Sequence, residues 1–308
     1  MGIYDRDYVR PQHEQHYSMG GIRTDYRGES PTLRGLFSAG EAACWDMHGF
    51  NRLGGNSVAE TVVAGMLVGE YIADFCDQPE SEITLSSALV KQAGAGVASQ
   101  LTGFATGTGG ENAFELMIAM QEIMTEKVGI FREGEHLQEA VDTLKKLLKR
   151  SRSISLRSQS RGTNPELVAA YRVQKMLKLS LCVAYGALRR TESRGAHYRR
   201  DYPRRDDAQW LKRTLATWPD ANANLPQLGY EELDIMKMEL PPGWRGYGGK
   251  DHIDHPATAQ REAELQHKRD ELGDVDRFTW QQAAMPYKEL LPERYRGRNA
   301  RLGETDDE

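Results

Sequence analysis

Apolar side chains recur at helical spacing along much of this chain. Val58, Val62 and Met66, with Val63 and Leu67 beside them, repeat every fourth position, which predicts a helix over about 57–77. Asn56 and Ser57 stand before it as N-cap candidates, and Glu60, three residues after Ser57, completes a capping-box pattern. Four further helical patterns follow. Residues 111–128 set Phe114, Met117, Ile118, Gln121 and Met124 on one side, and residues 136–150 do the same with Leu137, Val141, Leu144 and Leu148. Residues 165–191 open with Pro165 in the first turn and run through Tyr171, Leu177, Leu181, Tyr185 and Leu188; residues 207–217 form a shorter pattern. Together these predict an antiparallel helical bundle with basic outer faces, its methionines acting as core filler.

The rest of the chain reads differently. Residues 15–24 and 35–43 predict short strands on either side of the turn-rich DYRGESP, and Gly20, Gly21 and Gly40 mark close backbone approaches or bulges. A glycine-rich loop, HGFNRLGGN, leads into the helix at 57. Residues 78–110 are mixed, with 102–110 (TGFATGTGG) reading as a linker. Residues 240–250 read as a loop, 256–272 as a polar surface helix, and the end of the chain as a loosely held tail. The expected class is mixed α and β, mostly α, in three parts: 1–110, a helical bundle over 111–217, and a C-terminal region over 218–308. No repeat of solenoid period is visible.

Composition narrows the classes. At 308 residues the chain has room for about two domains. Its hydrophobic share of 39%, with 30 glycines added, excludes a chain disordered throughout. The net charge of −5 excludes a generally basic nucleic-acid binder. The longest apolar run, Val58 to Ala73, is broken by Glu60 and Glu70, so no membrane span is expected, and the polar N-terminus carries no signal-peptide core. Cys44, Cys76 and Cys182 are far apart and form no CxxC pair, which fits a reducing, cytosolic compartment. Charge is nonetheless uneven: residues 145–213 hold 19 Lys/Arg against 5 Asp/Glu. Such a segment is either a partner or nucleic-acid surface or a solvated helical face.

Two clusters carry candidate chemistry. His16 precedes Met19-Gly20-Gly21, a weak signal by itself. Arg52 lies in a glycine-rich loop directly before a helix, and its planar fork suits a carboxylate. The helix start offers free amide N–H groups and a partial positive charge to an anion. The plainer alternative pairs Arg52 with a structural acid. His13 and His16, and again His252 and His255, have H-x-x-H spacing without a third ligand, so no metal site is expected. Arg190, Arg194, His197, Arg199, Arg200, Arg204 and Arg205 form a basic cluster interleaved with Tyr198, Tyr202 and Trp210. Such a pattern suits single-stranded nucleic acid or, more plainly, a bracing helical domain.

The segments HYSMGGI, GLFSAGEAACWDMHGFNRLGGNSVAETVVAGMLVG, KVGIFREG and RTESRGAHYRRDYPRRDD resemble the flavoprotein subunit of fumarate reductase and succinate dehydrogenase, most of all the menaquinol-linked fumarate reductase branch. The likeness covers nearly the whole chain. It implies the later part of an FAD-binding α/β domain followed by a helical domain. It implies FAD as cofactor and fumarate or succinate as substrate. It further implies an iron–sulfur subunit as partner, a membrane-anchor cytochrome b subunit indirectly, no nucleic acid, and a peripheral place on the cytoplasmic side of the inner membrane. His16 and Arg52 match positions that bind the dicarboxylate. Glu41 matches the acid that holds the flavin ribityl chain, and Asn56, Ser57 and Val58 match the helix start beside the flavin ring.

The family's dinucleotide-binding glycine fingerprint, covalent flavin histidine, capping domain and proton-delivering arginine have no counterpart in these residues, so no catalytic residue is assigned. The chain is expected neither to bind FAD tightly nor to reduce fumarate by itself. L-aspartate oxidase carries similar His-Tyr and His-Gly-x-Asn-Arg-Leu motifs and is an alternative; a non-catalytic basic helical module is another.

Overall fold

A computed structural model describes residues 17–81, 86–158, 160, 162–220, 222–233 and 258–284. In chain order its elements are β1 (Ile22–Arg23), β2 (Ala43–Cys44), α1 (Asn56–Cys76), α2 (Ser87–Thr106), α3 (Ala113–Val128), β3 (Phe131–Arg132), α4 (Gly134–Arg150), α5 (Pro165–Arg189), β4 (Tyr198–Arg199), α6 (Asp207–Trp210), β5 (Lys212–Thr217), β6 (Gln227–Glu232), α7 (Thr258–Leu272) and α8 (Arg277–Ala284). They fall into two compact units, one drawing on 83–205 and 212–231, the other on 19–82, 206–211 and the residues from 232 onward. Helix dominates both.

In the first unit α3, α4 and α5 pack around one core, and α2 lies on α5. The α4 stripe is as expected: Leu137, Val141, Leu144 and Leu148 are all buried. On α5, Leu177 and Leu181 are buried, while Tyr171, Tyr185 and Leu188 border the core. Helix starts follow local chemistry. Asn112 accepts from Phe114 N at 2.9 Å and Glu115 N at 3.2 Å, and Asn164 caps α5 ahead of Pro165.

Three expectations need correction here. On α3 the buried face is Ala113, Leu116, Met120 and Val128, so Phe114 and Ile118 point outward; the 3.6-residue period is right but its phase is set by α4 and α5. Residues 102–106 are the last turn of α2 rather than linker, because Phe104 buries in the core and its carbonyl accepts from Leu156 N at 3.0 Å. Residues 207–217 form one short helical turn and then β5, which pairs with β6; long-range pairing overrides a weak helical pattern.

The basic cluster is partly interior. Arg190, Glu192, His197 and Arg199 are buried within the bundle unit. Arg199 donates to the carbonyls of Ala187, Leu188 and Arg190 at the end of α5, and grips Asp201 through two bonds of 2.8 and 2.6 Å. Asp201 in turn accepts from Gly134 N at 3.0 Å, at the start of α4. Arg132 donates to the carbonyls of Val128 and Gly129, at the end of α3. The segment after α5 and the paired strand β3 therefore together satisfy the exposed backbone groups of three helix ends. Arg190 and Arg194 share Glu192.

His197 sits among these cations. Arg132 Nη1 lies 2.7 Å from Nδ1, and a guanidinium only donates, so Nδ1 accepts and the proton resides on Nε2, facing the Arg190 carbonyl at 3.4 Å. Burial, and then the positive charge of Arg132, push the imidazole down from 6.5 to about 3. Between those values the unfolded chain takes up a proton here and the folded chain does not, so stability falls as pH drops below 6.5, by ~1.4 kcal/mol per pH unit. Denaturant unfolding of the full chain at pH 6.5 and at pH 5 should therefore show a loss that His197→Gln, which takes up no proton, lacks. An equal acid loss in both proteins would exclude this origin.

In the second unit β1 and β2 pair in parallel, Ile22 with Ala43 and Arg23 with Cys44. The expected strands at 15–24 and 35–43 are thus, among the described residues, reduced to two residues each, since the described backbone between them turns sharply: Asp25 Oδ1 accepts from both Arg27 N and Glu29 N. Gly21 is required beside Ala42, whose carbonyl would lie 2.4 Å from an added Cβ. Helices α7 and α8 pack together, with Arg261 and Lys268 donating to the terminal carbonyls of α8. The polar helix expected near 256–272 is α7. The predicted loop at 240–250 and the tail from 292 lie outside the described residues.

Candidate functional site

The second unit assembles the site from α1, the 3-10 turn Gly40–Ala42 and the loop between β2 and α1. Helix α1 starts at Asn56, one residue earlier than the sequence suggests, with Gly55 as N-cap in the left-handed region at φ 81. The expected Ser57–Glu60 capping box is therefore not formed. Ser57 lies inside the helix, and Glu60 is too far along it to reach back. Gly55 offers no side chain to cap this terminus, and the first turn carries no acid. Asn56 N donates to Leu53 O at 3.1 Å. The amides of Ser57 and Val58 remain directed out of the helix end, where an anionic acceptor gains both hydrogen bonds and the positive end of the dipole.

The 3-10 turn reaches the same region. Gly40 adopts φ 70, and an added Cβ would press on Thr61 at 3.3 Å, so the turn lies directly against the first turns of α1. Thr61 Oγ1 donates to Ser57 O at 2.8 Å. Glu41 stands exposed on this turn, and Asn56 and Ser57 are half-buried. Val58 is 71% exposed. The buried stripe of α1 is Glu60, Ala64 and Val68, and the apolar stripe Val58, Val62, Val63 and Met66 is exposed, as expected of this helix in this chain.

Arg52 lies four residues before α1, half-buried, with Nη1 donating to Leu53 O at 3.3 Å. Its loop winds through successive short turns, Gly49 N to Asp46 O, Asn51 N to His48 O and Asn56 N to Leu53 O. The structure thus brings Glu41, Arg52, Asn56, Ser57 and Val58 into one unit. His16 lies outside the described residues, so its expected convergence with Arg52 is not part of this geometry.

Glu60 is the residue that sequence reading misplaced. It is 2% exposed, accepts from Trp45 Nε1 at 3.2 Å, and places its other oxygen 4.0 Å from His48 Nε2. A carboxylate in line with Ala64 and Val68 on the helix was the available signal. Among the described residues no group of three or more His, Cys, Asp or Glu could hold a metal ion.

Residues 3–58 match a family model described as FAD binding domain, and residues 117–247 match one described as fumarate reductase flavoprotein C-term. The fumarate reductase flavoprotein subunit of Helicobacter pylori (strain ATCC 700392 / 26695) is 50% identical over 297 residues, covering 95% of this chain and 41% of that protein. The corresponding subunit of Mycobacterium tuberculosis (strain ATCC 25618 / H37Rv) is 37% identical over 76% of this chain and 40% of its own length. A solved quinol fumarate reductase of Escherichia coli aligns with a TM-score of 0.69 and 36% identity, over 76% of this chain and 39% of that one. The chain spans about two fifths of the length of the curated relatives it matches. Its helical C-terminal model, its FAD-domain segment and its relatives agree: the chain belongs to the fumarate reductase/succinate dehydrogenase flavoprotein family, of which it carries the C-terminal portion.

Proposed function

We propose that the chain forms the C-terminal part of the catalytic flavoprotein of a quinol:fumarate reductase or succinate dehydrogenase complex, interconverting fumarate and succinate. The observation that carries this reading is the helix start itself. An uncapped, acid-free α1 terminus opens beside an arginine loop, and Gly54 and Gly55 leave open space where side chains would stand.

The residues present fit FAD. The amides of Ser57 and Val58, with Asn56 beside them, would hold the electron-rich pyrimidine edge of the ring, and Glu41 would hold hydroxyls of the ribityl chain. When bound, the flavin supplies or accepts the hydride. Amide donors and the dipole at α1 favour negative charge on that edge and so ease reduction. Arg52, with His16, would bind the substrate carboxylates. A guanidinium paired with one carboxylate withdraws electron density from the adjoining double bond and orients it for addition. The proton for the second carbon comes from a group that the described residues do not provide.

The exposed stripe Val58, Val62, Val63 and Met66 would be covered by the remainder of the flavin domain in a protein of full family length. Among the described residues no helix is long and apolar enough to cross a membrane. An iron–sulfur subunit would carry electrons between the flavin and a cytochrome b membrane anchor, with this chain peripheral on the cytoplasmic side. The test is direct. The 308-residue chain by itself should bind FAD weakly and not reduce fumarate. Joined to the N-terminal portion and iron–sulfur subunit, it should oxidise reduced viologen with fumarate. A yellow, active isolated chain overturns the first expectation, and an inactive but flavin-loaded complex overturns the function.

A further inference from the structure

We infer that Glu60 is a positioning residue for substrate binding: it anchors the arginine loop to α1 and thereby sets where the Arg52 guanidinium is presented. This rests on the fumarate reading of the site. Three observations converge on it. Glu60 is almost fully buried on a helix stripe otherwise made of Ala64 and Val68, where an uncharged residue would serve packing better. Its two oxygens face two different residues of the loop, Trp45 through an indole hydrogen bond of 3.2 Å and His48 at 4.0 Å. Between those two contacts Asp46 is held at φ 77, and among the described residues it is the non-glycine residue with positive φ. A left-handed backbone of this kind persists where surrounding contacts determine it, and such positions gather at functional sites.

The geometry links these facts. The loop is hydrogen-bonded to α1 at Trp45, turns left-handed at Asp46, passes His48 at 4.0 Å from the other Glu60 oxygen, and then runs through two further short turns to Arg52. Glu60 lies eight residues beyond Arg52, one helical turn inside the start of α1, so a single rigid element carries both the anchor and the amide donors of Ser57 and Val58. Releasing the anchor lets the arginine drift relative to those donors while the donors stay in place. Displacing a clamp by about 1 Å is enough to lower turnover ~100-fold.

The experiment uses the assembled, flavin-loaded complex. Glu60→Ala and Trp45→Phe should each lower kcat/KM for fumarate by ~10- to 100-fold, with KM raised and flavin content unchanged. The double variant should be little worse than either single one, because both break the same link. Glu60→Gln keeps an acceptor for the indole and should recover much of the loss. A Glu60→Ala complex with wild-type kcat/KM overturns the inference. So does one whose surviving flavin-loaded fraction keeps a normal KM, since that outcome assigns Glu60 a structural role alone. Arg52→Ala measured alongside separates the levels. If it is fully active, the substrate reading itself is wrong; if it is inactive while Glu60→Ala is normal, only the positioning role is.

Discussion

Arg52→Ala, in a flavoprotein subunit of full family length assembled with its partner, is expected to lower kcat/KM for fumarate by ~1,000-fold or more while leaving bound flavin at its normal level. The two halves of that result have separate causes. The flavin contacts proposed here are backbone amides of Ser57 and Val58, which a side-chain change four residues before α1 does not remove. The carboxylate would lose a paired, charge-assisted donor whose planar fork water does not reproduce. Arg52→Lys should recover only part of the loss, because a point charge does not reproduce the planar fork. Steady-state viologen assays with flavin quantified in the same samples decide it. Near-normal kinetics for Arg52→Ala would refute the assignment.

The largest stability effect is expected in the bundle, at Arg199→Ala. This guanidinium is 2% exposed and holds three carbonyls at the end of α5 together with Asp201, which itself caps α4. Removing it leaves buried acceptors unsatisfied and one carboxylate without its partner, a loss of about 3–5 kcal/mol. Arg200→Ala is the matched control. Arg200 is exposed and lies over the Phe131 ring at 5.4 Å, so its removal should cost no more than about 1 kcal/mol. Denaturant midpoints of the full chain should separate the two clearly, and indistinguishable midpoints would mean that the Arg199 hub contributes nothing net.

That pair of arginines shows how far sequence reading extended. Adjacent in the chain, both belonged to one basic cluster open to a partner or a nucleic acid. Strand pairing of Tyr198–Arg199 with Phe131–Arg132 sends alternate side chains to opposite faces, so Arg199 goes inward to the helix ends and Arg200 outward. Two-residue strands leave no periodic pattern long enough to reveal this. The same holds at Glu60, where spacing from Ser57 suggested a cap, while in the fold it is buried and accepts from Trp45, fifteen residues away.

Sequence alone determined the extents of α3, α4 and α5, because each is long enough for its 3.6-residue period to show and Pro165 marks the start of α5; α2, whose residues read as mixed, it did not. It also determined the family, whose motifs are contiguous, and hence His16, Glu41, Arg52, Asn56, Ser57 and Val58 as candidates. Tertiary structure decided the phase of α1 and α3, the replacement of a helix by β5, and the inward turn of Arg199, His197 and Glu60. Those outcomes depend on which surface lies opposite each residue, and burial free energy between segments far apart in the chain outweighs the few tenths of a kcal/mol by which local propensity distinguishes the alternatives.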